Sequence, residues 1–320
     1  KSPISTVLIA ILLGILMGNA FTPRPGMMVG LDFTQQYILK LGIIFLGIRL
    51  SFEELIKFGS IAIPLIIICI VGVLILVKLL IKKVPISSKM SYLIAIGTSV
   101  CGATAIVATA PVINAKKSEV AYAIANITLF GVIAMIVYPY FAEWYFDNDA
   151  LKVGLFLGTS IHETSQVAAA GLIYDQQFNS PETLNVATVT KLIRNTFLVI
   201  LIPLFAFLYN RGELKGQNYS ILSIFPYFVI GFIGMIIVRN IGDQIFTTDN
   251  DSYVVWTSLI GYLKTLATVF LTMAMAAVGI SINLSELKSM GYKPFVVGLI
   301  AAITVGFISL IYIETLIKFI

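Results

Sequence analysis

The chain has 320 residues, of which 58% are hydrophobic and 12% charged. A soluble domain carries about 25% charged residues, so a largely water-facing surface is excluded and most of the chain must meet lipid. The net charge is +5; with no basic run interleaved with aromatics it excludes a nucleic-acid groove, and it fits basic loops on the cytoplasmic side of a bacterial inner membrane.

Apolar segments run at about 4–21, 33–52, 60–82, 88–113, 118–142, 152–174, 184–209, 221–238, 254–282 and 295–318, joined by short polar loops. A spanning helix needs roughly 20 apolar residues, so the composition predicts an all-α polytopic membrane protein forming one transmembrane domain over 1–320. The first run, from Ile4 to Met17, lacks a cleavage signature and reads as a spanning helix rather than a signal peptide. The chain opens on Lys1, which leaves room for a preceding segment. Arg49 has two readings: it joins a solute site, or it snorkels to the outer interface with Glu53 and Glu54. Cys69 and Cys101 sit in apolar runs and predict no disulfide.

Internal echoes organise the rest. Gly97-Thr98-Ser99-Val100-Cys101-Gly102-Ala103-Thr104 is echoed by Gly158-Thr159-Ser160-Ile161-His162-Glu163-Thr164-Ser165. Each is followed by a helix that ends in a proline phrase, Tyr138-Pro139-Tyr140-Phe141 or Ile202-Pro203-Leu204-Phe205. A second echo joins Gly47 to Leu55 with Gly279 to Leu287, and glycines at 59 and 291 extend it. These predict inverted structural repeats with halves of about 1–142 and 152–320.

Loop charge sets the topology. Lys78, Lys82, Lys83 and Lys89 precede the 88–113 segment, and Lys116 and Lys117 follow it. Glu143, Asp147 and Asp149, opposed by Lys152, precede the 152–174 segment; Asp175 and Glu182 follow it. Two crossings would put one basic flank outside, against the positive-inside rule. The preferred expectation is therefore about eight crossings plus two re-entrant hairpins. The other expectation is about ten crossings with two broken helices. The 209–219 loop (Arg211, Lys215) and the 283–294 loop (Lys288, Lys293) then fall inside, and the 239–252 loop (Asp243, Asp249, Asp251) falls outside.

Non-helical backbone survives in a membrane only where protein or a water-filled cavity covers it. A broken helix offers free N–H groups and a positive dipole end, which bind anions. The hydroxyls of Thr98, Ser99, Thr104, Thr159, Ser160, Thr164 and Ser165 add donors; the bland alternative is that small polar residues allow tight packing. Lys191, Arg194 and Asn195 share one helix face that points a basic pair and an amide at the second cluster. The first repeat has Asn126 at the matching depth and no cation. Glu163 and His162 are candidates for a coupling proton, because burial and neighbouring charges shift the titration of either group. The competing reading makes Glu163 a fixed partner of Lys191 or Arg194. Cys101 lies with the site at the first tip and reads as a packing residue rather than a thiol catalyst.

The phrases Gly97 to Ala105, His162-Glu163-Thr164-Ser165-Gln166-Val167-Ala168-Ala169-Ala170-Gly171, Lys191-Leu192-Ile193-Arg194 and Ala274 to Gly279 resemble those of the YeiH-like sulfate exporter family, over essentially the whole chain. The resemblance adds Gln166 to the candidate substrate residues. It also implies kinship with the bile-acid symporter and cation–proton antiporter superfamily, whose layout from Gly42 to Phe141 includes a broken fourth helix. It implies sulfate or a sulfonate as a candidate substrate.

The expected function is a secondary transporter of a small anion, working by alternating access and possessing no catalytic site, cofactor or metal. No Walker motif is present to provide ATP drive. The alternatives are a cation–proton antiporter carried by Glu163 and an intramembrane enzyme using Glu163, His162 or Cys101. A homodimer is expected by analogy with elevator-type transporters.

Overall fold

The computed structural model describes residues 5–21, 23–80, 87–210, 227–247, 252–282 and 292–316. Lys82, Lys83, Arg211, Lys215, Asp249, Asp251, Lys288 and the 283–287 and 291 parts of the second echo lie outside them. The described residues hold helices and no strand. The helices are α1 (Thr6–Ala20), α2 (Pro25–Phe33), α3 (Leu39–Leu46), α4 (Phe52–Leu80), α5 (Ser88–Ser99), α6 (Ala103–Thr109), α7 (Lys117–Phe146), α8 (Ala150–Ser160), α9 (Thr164–Phe178), α10 (Pro181–Thr196), α11 (Leu198–Asn210), α12 (Phe228–Ile245), α13 (Ser252–Ser281) and α14 (Tyr292–Leu316).

Among the described residues, seven helical stretches are long and apolar enough to cross a membrane: 25–49, 52–79, 117–146, 181–204, 228–245, 252–281 and 295–315. α1 and α8 are apolar but shorter. Two boundaries move from the sequence expectation. The 33–52 segment begins at Pro25, which sits at the first helical turn, where its missing N–H costs nothing. The described helix of the 221–238 segment, Phe228–Ile245, runs past its expected end.

Both polar stretches fold back on themselves. The Ser87 hydroxyl caps α5 and donates to Glu119 in the first turn of α7. Lys89 Nζ donates to the Asn114 carbonyl at 2.6 Å. The start of α5 and the segment after α6 therefore lie at one level, which a helix pair running straight on could not achieve. At the second stretch, the Tyr174 hydroxyl of α9 donates to Glu143 and, at 3.3 Å, to Asn148, both beside the start of α8. The two bases sit at opposite ends of the 30-residue α7, which is about 45 Å long at 1.5 Å per residue. The helix pairs α5–α6 and α8–α9 thus start at opposite ends of α7, and their breaks meet where Ala103 touches Glu163.

Local sequence explains the breaks. Gly102 ends the first tip at φ +64, a region that L side chains avoid, and a Cβ there would lie 2.5 Å from the Glu163 Cγ. A Cβ on Gly158 would lie 2.6 Å from the Thr190 Cβ, so only glycine lets α8 lie this close to α10. Asn179 closes α9 in the left-handed region.

The helices sort into two packed groups. α1, α2, α3, α12 and α13 form one; α4 through α11 and α14 form the other, which holds both breaks. One end of the molecule carries Lys78, Lys89, Lys116 and Lys117, and the other carries Glu143, Asp147, Asp149, Asp175 and Glu182.

Candidate functional site

The two tips converge on the face of α10 that carries Lys191 and Arg194. Both side chains are fully buried. Lys191 Nζ donates to the carbonyls of Val100 at 2.8 Å, Ile161 at 3.0 Å and His162. An ammonium has three N–H groups, so all three are taken. Arg194 donates through Nε to Ser99 at 2.7 Å, through Nη1 to Thr159 at 2.5 Å and Ile161 at 3.3 Å, and through Nη2 to Thr98.

These carbonyls are the free C-terminal ends of α5 and α8. A helix leaves its last four carbonyls unpaired and ends in partial negative charge. In a lipid-surrounded core each unpaired carbonyl is costly. Two cations on adjacent turns of α10 satisfy both ends at once. The basic pair points where its spacing predicts, and the three N–H groups of Lys191 and four of the five of Arg194 go to backbone carbonyls.

Glu163 occupies the opposite pole. Its carboxylate accepts the Ala103 N–H at 3.1 Å, the first turn of α6. It also closes a capping box on α9, taking the Gln166 backbone N–H while the Gln166 side chain accepts the Glu163 N–H at 3.3 Å. Gln166 Nε2 ties this tip to α7 through the Thr128 carbonyl at 3.2 Å. In the echo Glu163 stands where the first copy has Gly102. A residue without a side chain cannot cap α6, and Glu163 does so from the other tip. Lys191 and Arg194 form no ion pair with Glu163, so the fixed-partner reading does not describe this geometry.

The remaining predicted residues divide. The hydroxyls of Ser99, Thr159 and Ser160 bond back to the carbonyls of Ala95 at 2.6 Å, Leu155 at 2.7 Å and Phe156. Thr159 also pairs with Ser309 of α14 at 2.7 Å, a partner that nothing in the sequence signals. Thr98, Cys101, His162 and Ser165 are buried. Thr104 is exposed, and Ala103, Glu163 and Thr164 are half-buried, while Ser165 and Gln166 of the same turn of α9 are buried. Asn195 Nδ2 donates to Thr164 Oγ1 at 2.8 Å. Its Oδ1, Thr190 Oγ1 and His162 Nδ1 are buried without a hydrogen-bond partner among the described residues. Asn126 is buried in α7 with its amide against Gly298 of α14. Arg49 follows neither sequence reading: it pairs with Asp175 at 2.9 Å, because the end of the 25–49 helix meets the end of α9. Among the described residues no group of three or more His, Cys, Asp and Glu is placed to hold a metal ion.

The model of the family described as conserved hypothetical protein 698 matches residues 1–298. The chain belongs to this family. Family relatives include a UPF0324 membrane protein of Fusobacterium nucleatum, 33% identical over 96% of this chain and 89% of its own length. The UPF0324 inner membrane protein YeiH of Escherichia coli K12 is 33% identical over 92% of this chain and 81% of its own. A UPF0324 membrane protein of Streptococcus agalactiae is 35% identical over 90% and 83%. No solved structure matches the chain. With seven apolar helices of spanning length and relatives named as inner membrane proteins, this family member is a multi-pass protein of the bacterial inner membrane.

Proposed function

We propose that the chain is a secondary transporter of a small anion, coupled to protons through Glu163, rather than an enzyme. The observation that supports this reading best is the place of Glu163. A lone carboxylate lies between the first turns of two helices, at one pole of a junction whose other pole is closed by Lys191 and Arg194. Helix N-termini attract anions through their free N–H groups and positive dipole ends. The carboxylate holds the place that an anion would take. A protonated Glu163 gives up that charge, and the junction, with two cations behind it, then favours an anion from solution.

The reading places eight crossings and two re-entrant hairpins in the bilayer, with the lysine-rich end in the cytoplasm. Oppositely entering hairpins that meet at mid-depth suit alternating access, in which one helix group moves against the other.

The test is reconstitution in liposomes with solute-evoked currents and internal pH recorded across sulfate, sulfite, thiosulfate, small sulfonates, dicarboxylates, Na⁺ and K⁺. An anion-specific signal accompanied by a pH change supports the reading. A second reading, cation–proton antiport on Glu163, is favoured by the unpaired Oδ1 of Asn195, whose amide nitrogen bonds the hydroxyl of Thr164 next to Glu163. It predicts that only Na⁺ or K⁺ moves the internal pH.

A further inference from the structure

α9 carries Glu163 at its N-terminus and, near its C-terminal end, Asp175 and Gln176. Its fifteen residues make a rod of about 22 Å, capped at both ends. Asp175 and Gln176 reach out of their own helix group into the other. Asp175 Oδ2 pairs with Arg49 Nη2 at 2.9 Å, with side chains only 18% and 11% exposed. Gln176 Oε1 accepts the Ser5 hydroxyl at 2.7 Å, the Thr6 N–H at 3.0 Å and the Thr6 hydroxyl at 3.3 Å. Beside them the Phe52 N–H donates to Asn240 Oδ1 of α12 at 3.2 Å. These polar contacts between the groups gather at the acidic end.

We propose that Asp175 and Gln176 are a polar latch that holds the two helix groups together at the acidic end, and that it opens when the groups move apart. Hydrogen bonds near a membrane surface exchange with water at small net cost, unlike interdigitated apolar packing. Arg239 pairs with Asp243 at 2.5 Å nearby, and half-buried Lys264 on α13 lies in the field of Arg49, Arg239, Asp175 and Asp243. Through α9 the latch is rigidly joined to Glu163, so a change of occupant at the tips and a change at the acidic end are one motion. The latch's part in a transport cycle rests on the transporter reading; the latch itself does not.

The experiment is a pulsed electron–electron distance measurement in lipid nanodiscs, on a background without Cys69 and Cys101. Spin labels go at exposed Tyr253 on α13 and exposed Glu182 on α10, one in each group at the acidic end. The parent should give one short, narrow distance population. Arg49→Ala and Gln176→Ala should each add a longer population, and Arg49→Asp combined with Asp175→Arg should restore the short one. An unchanged distribution in both single variants overturns the latch. If Arg49→Ala does not fold, Gln176→Ala alone decides by the same readout. No substrate is needed, so a silent transport assay leaves this test intact, and loss of the latch leaves the proposed function standing.

Discussion

Glu163 reaches the N–H of Ala103 at 3.1 Å across sixty positions of sequence, so one tip supplies the cap that the other lacks. Gln at 163 keeps an acceptor for that N–H but cannot carry a proton. Glu163→Gln should fold, with stability within about 1–2 kcal/mol of the parent. Thermal unfolding in detergent checks the fold, and the loss of solute-driven pH change checks the role.

Lys191 should behave differently. Its removal leaves three carbonyls unpaired in a buried core, at about 1–3 kcal/mol each. Lys191→Met should therefore lose several kcal/mol and much of the folded yield, measured by thermal size-exclusion profiles in detergent. A variant that stays as stable as the parent would remove the capping role.

Arg194 serves carbonyls of both tips through a planar fork. Lysine has the charge but not the fork. Arg194→Lys is expected to lower the melting temperature clearly while keeping net charge, read in the same assay.

Gly102→Ala forces a side chain into a positive-φ position and against the Glu163 stem. About 1–3 kcal/mol of backbone strain is expected, with more from displacing Glu163. Transport should fall further than stability does. Comparison of initial uptake rate with melting temperature tests this.

The breaks between α5 and α6 and between α8 and α9 are legible because Gly, Thr and Ser cluster where an apolar run should continue. The face of α10 was legible from the i, i+3 spacing of Lys191 and Arg194. Their partners were not. Backbone carbonyls do not show in a sequence, and those of Thr98, Ser99, Val100 and Ile161 are free only because α5 and α8 stop where they do. A reading of side chains alone therefore misses the carbonyls that both cations cap. The start of the 25–49 helix was hidden by Arg24, Asp32, Gln35 and Gln36, which dilute its apolar character. Arg49 and Asp175 stand 126 positions apart, and only the meeting of two helix ends joins them.

The measurement that tests the central claim most directly is simultaneous anion flux and internal pH in liposomes, with parent and Glu163→Gln side by side. Sulfate and small sulfonates are the first solutes. The account predicts anion-dependent proton movement in the parent and none in Glu163→Gln, whether or not anion exchange survives. Full proton-coupled anion transport by Glu163→Gln would contradict it.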